Sequence, residues 1–328
     1  MAVITYGEHL LQSEAGESVL DTLLRNNIDA PYSCKAGVCQ TCIMQCVSGQ
    51  LPETAQQELK PNLREQGYFL SCQCFTDSDL QIRLPESEQL FVTAKLIEKQ
   101  RLSPTVYRLH LQTATPLFYH AGQFINVKRN DGLIRSYSLA SLPSEDNSLE
   151  LHVKRMDNGA MSHWMTEDFQ IGENIEIDGP IGNCFYASTS HDQPMLLVGS
   201  GTGLAPLIGI LRDALHNNHS GPVYLYHVSF KEDELYLDKE IKALIENTPN
   251  VHYKPIITQH MTEDYVVSGR AGETALVEHP KLNGWKIFIC GAPAMVKFMQ
   301  QRAYLAGASM NDIYSDPFET RELRKEPR

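Results

Sequence analysis

Cys34, Cys39 and Cys42 stand at Cys-x4-Cys-x2-Cys spacing, and Cys72 follows Cys42 after 29 intervening residues. That is the spacing of thiolate ligands around a [2Fe–2S] cluster. Three ligands must come from one tight loop because a two-iron cluster is small; the fourth must return from elsewhere in the fold. Ser33, Ala36, Gly37 and Thr41 are small enough to let backbone N–H groups turn toward the sulfur atoms. Two other uses of these thiols stay open at this level. Cys39-x2-Cys42 with Cys72-x-Cys74 reads as a zinc site, although it leaves Cys34 unused and its second arm is short. A disulfide framework is the other, with only eight cysteines in 328 residues. Cys74 is the rival to Cys72 as fourth ligand, and Cys46 reads as a bystander.

Composition sets outer limits. Hydrophobic residues make up 42% and charged residues 21%, as in globular proteins, and 328 residues suffice for two or three domains. The net charge of −12 argues against a nucleic-acid partner. Residues 1–84 hold 10 acids against 5 bases, an acidic surface that serves solubility or steers a basic partner protein. No apolar run approaches the ~20 residues of a membrane span, and the start shows no signal-peptide pattern. Free thiols and no export signal lead us to expect a cytoplasmic protein. No stripe suggests a dimer, so a monomer is expected.

Periodicity then places the chemistry on elements. A hairpin is expected over 2–12, a helix over 18–27 and a closing strand over 80–84. Turn-rich residues 85–88 mark a boundary. From 91 to about 187 short alternating strands are read at 92–99, 106–112, 124–129, 136–140, 149–154 and 174–178, the pattern of a small barrel, with one helix over 158–168. From 193 strands and helices alternate: strands at 195–198, 223–228, 251–258 and 286–290, helices at 204–216, 239–246 and 293–306. This predicts a doubly wound parallel sheet. The charged tail 319–328 is expected to be mobile. The fold class is therefore multidomain α+β and α/β, with domains over 1–86, 91–190 and 191–328.

Residues 1–84, with all four ligand positions matched, resemble plant-type [2Fe–2S] ferredoxin domains, which are β-grasp-like. Arg135-Ser136-Tyr137-Ser138, on a barrel strand, resembles the Arg-x-Tyr-Ser signature of the flavin-binding ferredoxin–NADP reductase superfamily. The resemblance implies that Arg135 holds the flavin phosphate, Tyr137 packs along the isoalloxazine and Ser138 lies by N5. Physically, a guanidinium suits bidentate phosphate binding, an aromatic covers a ring system, and a hydroxyl can hydrogen-bond a ring nitrogen. Gly159-Ala160-Met161-Ser162 resembles the segment of that superfamily that meets the flavin pyrophosphate, which favours FAD; Ser162 could equally be a helix cap. Asp178-Gly179-Pro180-Ile181-Gly182 resembles the structural turn that follows.

Gly199-Ser200-Gly201-Thr202-Gly203-Leu204-Ala205-Pro206 lies between a buried strand and a helix, the geometry that receives a dinucleotide phosphate. It resembles the superfamily's Gly-x-Gly-x-x-Pro. Cys290-Gly291-Ala292-Pro293-Ala294-Met295 resembles its Cys-Gly-x-Pro-x-Met, which implies Cys290 beside the nicotinamide; read alone, Cys290 is a core thiol. Tyr314-Ser315-Asp316-Pro317-Phe318 resembles the closing strand, implying Asp316 and Phe318 at the flavin border. Ser138, Cys290 and Asp316 are thus the candidates around the reacting atoms.

In the order ferredoxin, flavin barrel, nucleotide domain, the chain resembles the reductase components of bacterial multicomponent oxygenases, and CDP-6-deoxyglucoseen reductases share the layout. The resemblance implies an electron-transfer enzyme with a [2Fe–2S] cluster and FAD, fed by NAD(P)H, with an oxygenase or hydroxylase protein as acceptor. A deoxysugar dehydrase partner and a redox sensor without turnover are the alternatives. Around Phe230, where the adenosine ribose is expected, only Lys231 is basic and Glu232 and Asp233 follow, so NADH is favoured over NADPH.

Overall fold

A computed structural model describes residues 1–85, 90–187 and 191–318. The tail at 319–328, and parts of the expected boundaries near 86 and 190, lie outside the described residues. The elements form three sheets of five, six and five strands.

The first sheet has the order β2-β1-β5-β3-β4, from β1 (Val3–Tyr6), β2 (His9–Gln12), β3 (Ile43–Ser48), β4 (Tyr68–Leu70) and β5 (Leu80–Arg83). The helix Val19–Arg25 buries Val19, Leu20 and Leu23, and its Ser18 cap accepts a hydrogen bond from the Asp21 amide. β3 and β4 were not among the expected strands: β3 shows no clean alternation and β4 has only three residues, all buried. These two strands do the positioning. β3 starts directly after Cys42, β4 ends just before Ser71 and Cys72, and Ile43 pairs with Leu70. The ladder therefore delivers Cys72 to Cys42 across the 29 residues between them.

The second sheet is antiparallel in the order β10-β7-β6-β11-β8-β9: β6 (Val92–Arg101), β7 (Val106–Thr113), β8 (Phe124–Lys128), β9 (Ile134–Ser138), β10 (Leu149–Lys154) and β11 (Asn174–Ile181). A bridge between Leu139 and Leu151 joins its two edges, so the sheet closes as the expected six-stranded barrel. Leu96, Leu109, Leu111, Ile125, Val127 and Leu151 are fully buried in its core. The helix expected over 158–168 is shorter than the pattern suggests. Ala160–His163 is α-helical, and Trp164–Asp168 widens into a π-turn, in which the Phe169 amide donates to the Trp164 carbonyl and the two rings stack at 4.6 Å.

The third sheet is all parallel in the order β14-β13-β12-β15-β16: β12 (Met195–Ser200), β13 (Val223–Ser229), β14 (Val251–Ile257), β15 (Lys286–Gly291) and β16 (Ile313–Pro317). The helices Leu204–His216 and Pro293–Leu305 follow β12 and β15. Chain order reverses between these two neighbouring strands. That is the switch point where open α/β sheets bind ligands, at their C-terminal ends. The short helices Glu263–Val267 and Glu273–Glu278 were not anticipated. No helix among the described residues is long and apolar enough to cross a membrane.

Candidate active site at the junction of three sheets

The loop that carries Cys34, Cys39 and Cys42 curls because Lys35, Gly37 and Gln40 all take positive φ, at 49°, 81° and 55°. Successive N–H groups then point inward. The amides of Ala36 and Cys39 each donate to Cys34 Sγ at 3.3 Å, and the Cys34 amide donates to Cys39 Sγ at 3.3 Å. The four thiols fall into two pairs, Cys34 with Cys39 and Cys42 with Cys72, the latter 3.2 Å apart. Within each pair one thiol is drawn down by the other: Cys34 to about 6 and Cys72 to about 7, while Cys39 and Cys42 are pushed well up. Two pairs suit a two-iron cluster, in which each iron takes two thiolates. Among the described residues no three His, Cys, Asp or Glu side chains converge as a mononuclear site requires. Cys74 turns into the core, fully buried, and burial pushes its thiol up to about 12.

A cavity of about 540 Å³ opens where the three sheets meet, and its wall is largely apolar. Arg135, Tyr137 and Ser138 on β9, with Gly159, Met161 and Ser162, form the barrel's side. Gly201, Thr202 and Phe230 form the nucleotide side, and Asp316 and Phe318 lie at the end of β16. Cys34 and Cys39 reach the wall from their loop. Ser138 Oγ donates to Asp316 Oδ2 at 2.6 Å across 178 residues of sequence. Asp316 lies deep in the molecule but opens into the cavity, and desolvation raises its carboxyl to about 6 against the lowering pull of the Ser138 hydroxyl. Ser162 lies inside the helix and does not cap it, since Gly159 holds the cap position with no side-chain bond; its hydroxyl accepts from the Met156 amide and donates to the Gly159 carbonyl, both at 3.1 Å, while facing the cavity.

Two glycine-bearing turns interlock beneath the cavity. A Cβ on Gly203 would collide with the Cys290 carbonyl, and one on Gly291 would collide with Ser200. The Ser200 hydroxyl accepts from the Ala292 amide at 2.9 Å. Gly201, at φ 54°, faces open space, leaving a cradle beside exposed backbone.

The comparisons with known proteins agree with this division. Residues 6–77 match the 2Fe-2S iron-sulfur cluster binding domain family, 93–186 the oxidoreductase FAD-binding domain and 197–301 the oxidoreductase NAD-binding domain. The chain is 31% identical, over 94% of its length and 95% of the relative's, to the ferredoxin–NAD(P)(+) reductase component of the naphthalene 1,2-dioxygenase/salicylate 5-hydroxylase systems of a Ralstonia species. It is 33% identical to the reductase subunit of an aromatic O-demethylase of Amycolatopsis, over 90% and 91% of the two chains. The chain belongs to the iron–sulfur flavoprotein reductases. An Amycolatopsis cytochrome P450 reductase superposes on this reductase with a TM-score of 0.66 at 28% identity, covering 97% and 99% of the two chains.

Not every expected site residue of the reductase faces the cavity. Gly199, Gly203, Pro206 and Gly291 stand behind the wall and shape the turns; Cys42 and Cys72 stand behind Cys34 and Cys39. Cys290 is fully buried, with Sγ 3.7 Å from Cys184 Sγ, and desolvation pushes its thiol well up. Three residues escaped the sequence reading. His227 is fully buried, its Nε2 3.2 Å from the Gly201 carbonyl, and burial lowers it to about 4. It is therefore neutral and donates from Nε2, holding the glycine turn. Glu234 lines the cavity, and Asn126 is 2% exposed in a strand. The only signal for Asn126 was a polar amide between Ile125 and Val127 in a strand pattern.

Proposed function

We propose that this reductase draws electrons from NADH and delivers them singly to an oxygenase or hydroxylase protein. The observation that carries the reading is the junction itself: the Arg135–Ser138 wall, the Gly201 cradle and Cys34 and Cys39 border one cavity. When bound, FAD accepts the paired electrons of NAD(P)H and a [2Fe–2S] cluster accepts them one at a time, so a flavin belongs between coenzyme and cluster. Cys34, Cys39, Cys42 and Cys72 would hold the cluster, with the inward amides of the ligand loop offsetting its negative charge. Arg135 would pair with the flavin phosphate and Tyr137 would cover the ring. The amides near Gly159, Met161 and Ser162 would receive the pyrophosphate. Ser138 and Asp316, joined at 2.6 Å, would border the reactive edge of the ring and hold a proton between them. Gly199, Gly201, Thr202, Gly203, Pro206 and Gly291 would build the coenzyme's seat. Phe230 would cover its adenosine, and Cys290, with Phe318, would back the nicotinamide region. Domains over 1–86, 91–190 and 191–328 carry these three tasks.

NADH is favoured because the three carboxylates of the turn Glu232–Glu234 stand beside Lys231 where a 2′-phosphate would sit, and the neighbouring Phe230, 51% exposed, carries no charge. Steady-state rates with the two coenzymes test this. NADH should give the higher kcat/KM, and a strong preference for NADPH would refute it. The oxygenase partner rests on the named systems of the relatives, together with the acidic N-terminal segment. Reduction of a candidate hydroxylase by NADH only when this reductase is present is the expected result. The eight free cysteines are in keeping with a cytoplasmic setting.

A further inference from the structure

We propose that Asn126 is a positioning residue for electron transfer from flavin to cluster, tying the ligand loop to the flavin wall through one side-chain amide. The proposal rests on the reading of Cys39 as a ligand and β9 as flavin wall. On β8, Ile125 and Val127 point into the barrel core, and Asn126 points outward. It is nonetheless 2% exposed, because the ligand loop lies on it. Its Nδ2 donates to the Cys39 carbonyl at 3.0 Å, and its Oδ1 accepts from Ser136 Oγ at 2.8 Å. Ser136 stands directly opposite in the β8–β9 ladder, between Arg135 and Tyr137. Asp178 flanks the amide from β11, with Oδ2 3.5 Å from Nδ2.

The orientation of the amide is not arbitrary. A backbone carbonyl can only accept, so Nδ2 must face Cys39, and Oδ1 then takes the serine proton. Asparagine is also a poor strand residue, and burying its amide is unfavourable unless both ends are satisfied. A valine or isoleucine would serve the barrel at least as well. What asparagine alone adds is a fixed link between a ligand residue and the strand that lines the cavity. Electron-transfer rates fall steeply with separation, so the seating of the ligand loop on the flavin wall bears directly on that step. A link that seats the loop on the wall therefore acts on that step and not on the reaction with coenzyme.

The test uses full-length protein loaded with FAD and cluster, as wild type, Asn126→Ala and Asn126→Leu. Flavin absorbance and the reduced-cluster EPR signal of the wild type come first; their absence would overturn the parent reading before any variant is compared. Anaerobic stopped-flow mixing with NADH then follows flavin reduction and cluster reduction separately, and hydrogen exchange reports on the amides of residues 34–42. In the variants flavin reduction should stay within about twofold of wild type. Cluster reduction should slow roughly tenfold or more, and the loop amides should exchange faster. Variants that carry both cofactors, reduce the cluster at the wild-type rate and show unchanged exchange would overturn the proposal. So would failure of both variants to load the cluster, since Asn126 would then build the site and not position it.

Discussion

Cys72 meets the Cys42 thiol at 3.2 Å, while Cys74, two residues on, is turned into the core of the first sheet. Their replacement should separate the two roles. Cys72→Ala is expected to abolish the reduced-cluster EPR signal and bound iron while flavin stays. Cys74→Ala should keep the cluster and lose about 1 kcal/mol of stability. Asp316 makes a second residue-level case. Its carboxyl titrates at about 6 in the folded chain against an ordinary 3.8. The native state thus holds the proton more tightly than the unfolded chain does. Stability should fall as pH rises from about 4 to about 6 and level off above, a change of about 3 kcal/mol. Asp316→Asn should flatten that part of the profile, read as urea midpoints across the range. An unchanged slope would remove Asp316 as its cause.

Among the elements, the glycine turn after β12 shows two different needs for glycine within three residues. Gly201 has φ 54° with nothing around its missing Cβ, so it is conformation that matters there. Gly203 has φ −58°, open to any residue, but a Cβ would strike the backbone carbonyl of Cys290 on the neighbouring strand. Backbone cannot step aside as a side chain can. Gly201→Ala should cost about 1 kcal/mol. Gly203→Ala should cost about 3 kcal/mol and weaken coenzyme binding as well, because it pushes β12 and β15 apart at the switch point. Thermal midpoints and coenzyme titrations of the two variants give the order; a milder Gly203→Ala would contradict the interlock. β3 and β4 make the complementary point. They read poorly as strands because their identity comes from pairing, of β3 with both β4 and β5, not from alternation.

Across the whole molecule, ion pairs fasten the barrel to the nucleotide domain. Arg212 forks onto Asp146 at 2.7 and 2.9 Å and reaches Glu145 at 3.1 Å. Arg108 on β7 lies 3.0 Å from Glu150 through Nε, too poorly aligned for a hydrogen bond, and 2.6 Å from Glu240 in the helix Asp238–Ile245. Glu150 also accepts from His152 Nε2 at 2.8 Å, and His152 Nδ1 lies 3.2 Å from the Tyr236 hydroxyl. Burial alone would raise the Glu150 carboxyl; the His152 hydrogen bond and the charges of His152 and Arg108 outweigh it and hold it at about 2. The stability this adds is full above the unfolded value of about 4.5 and is lost as pH falls through about 2. Arg108→Met should leave a buried carboxylate short of a cation, costing about 3 kcal/mol and moving acid unfolding to higher pH. Acid titration followed by circular dichroism checks the shift, and an unmoved midpoint would mean that His152 alone suffices.

The cysteine spacing, the Arg135–Ser138 signature, the glycine turns and the order of a barrel followed by a parallel α/β sheet could all be read from the chain. Each is a local pattern: a cluster loop, a phosphate cradle or an alternating strand needs given residue types at given short spacings. What only the tertiary structure decided is which distant groups meet. It paired Cys42 with Cys72 through the β3–β4 ladder, joined Ser138 to Asp316, turned Cys290 toward Cys184 and laid the Cys39 carbonyl on Asn126. Such contacts depend on how three separate cores pack against one another, and no spacing along the chain encodes that distance.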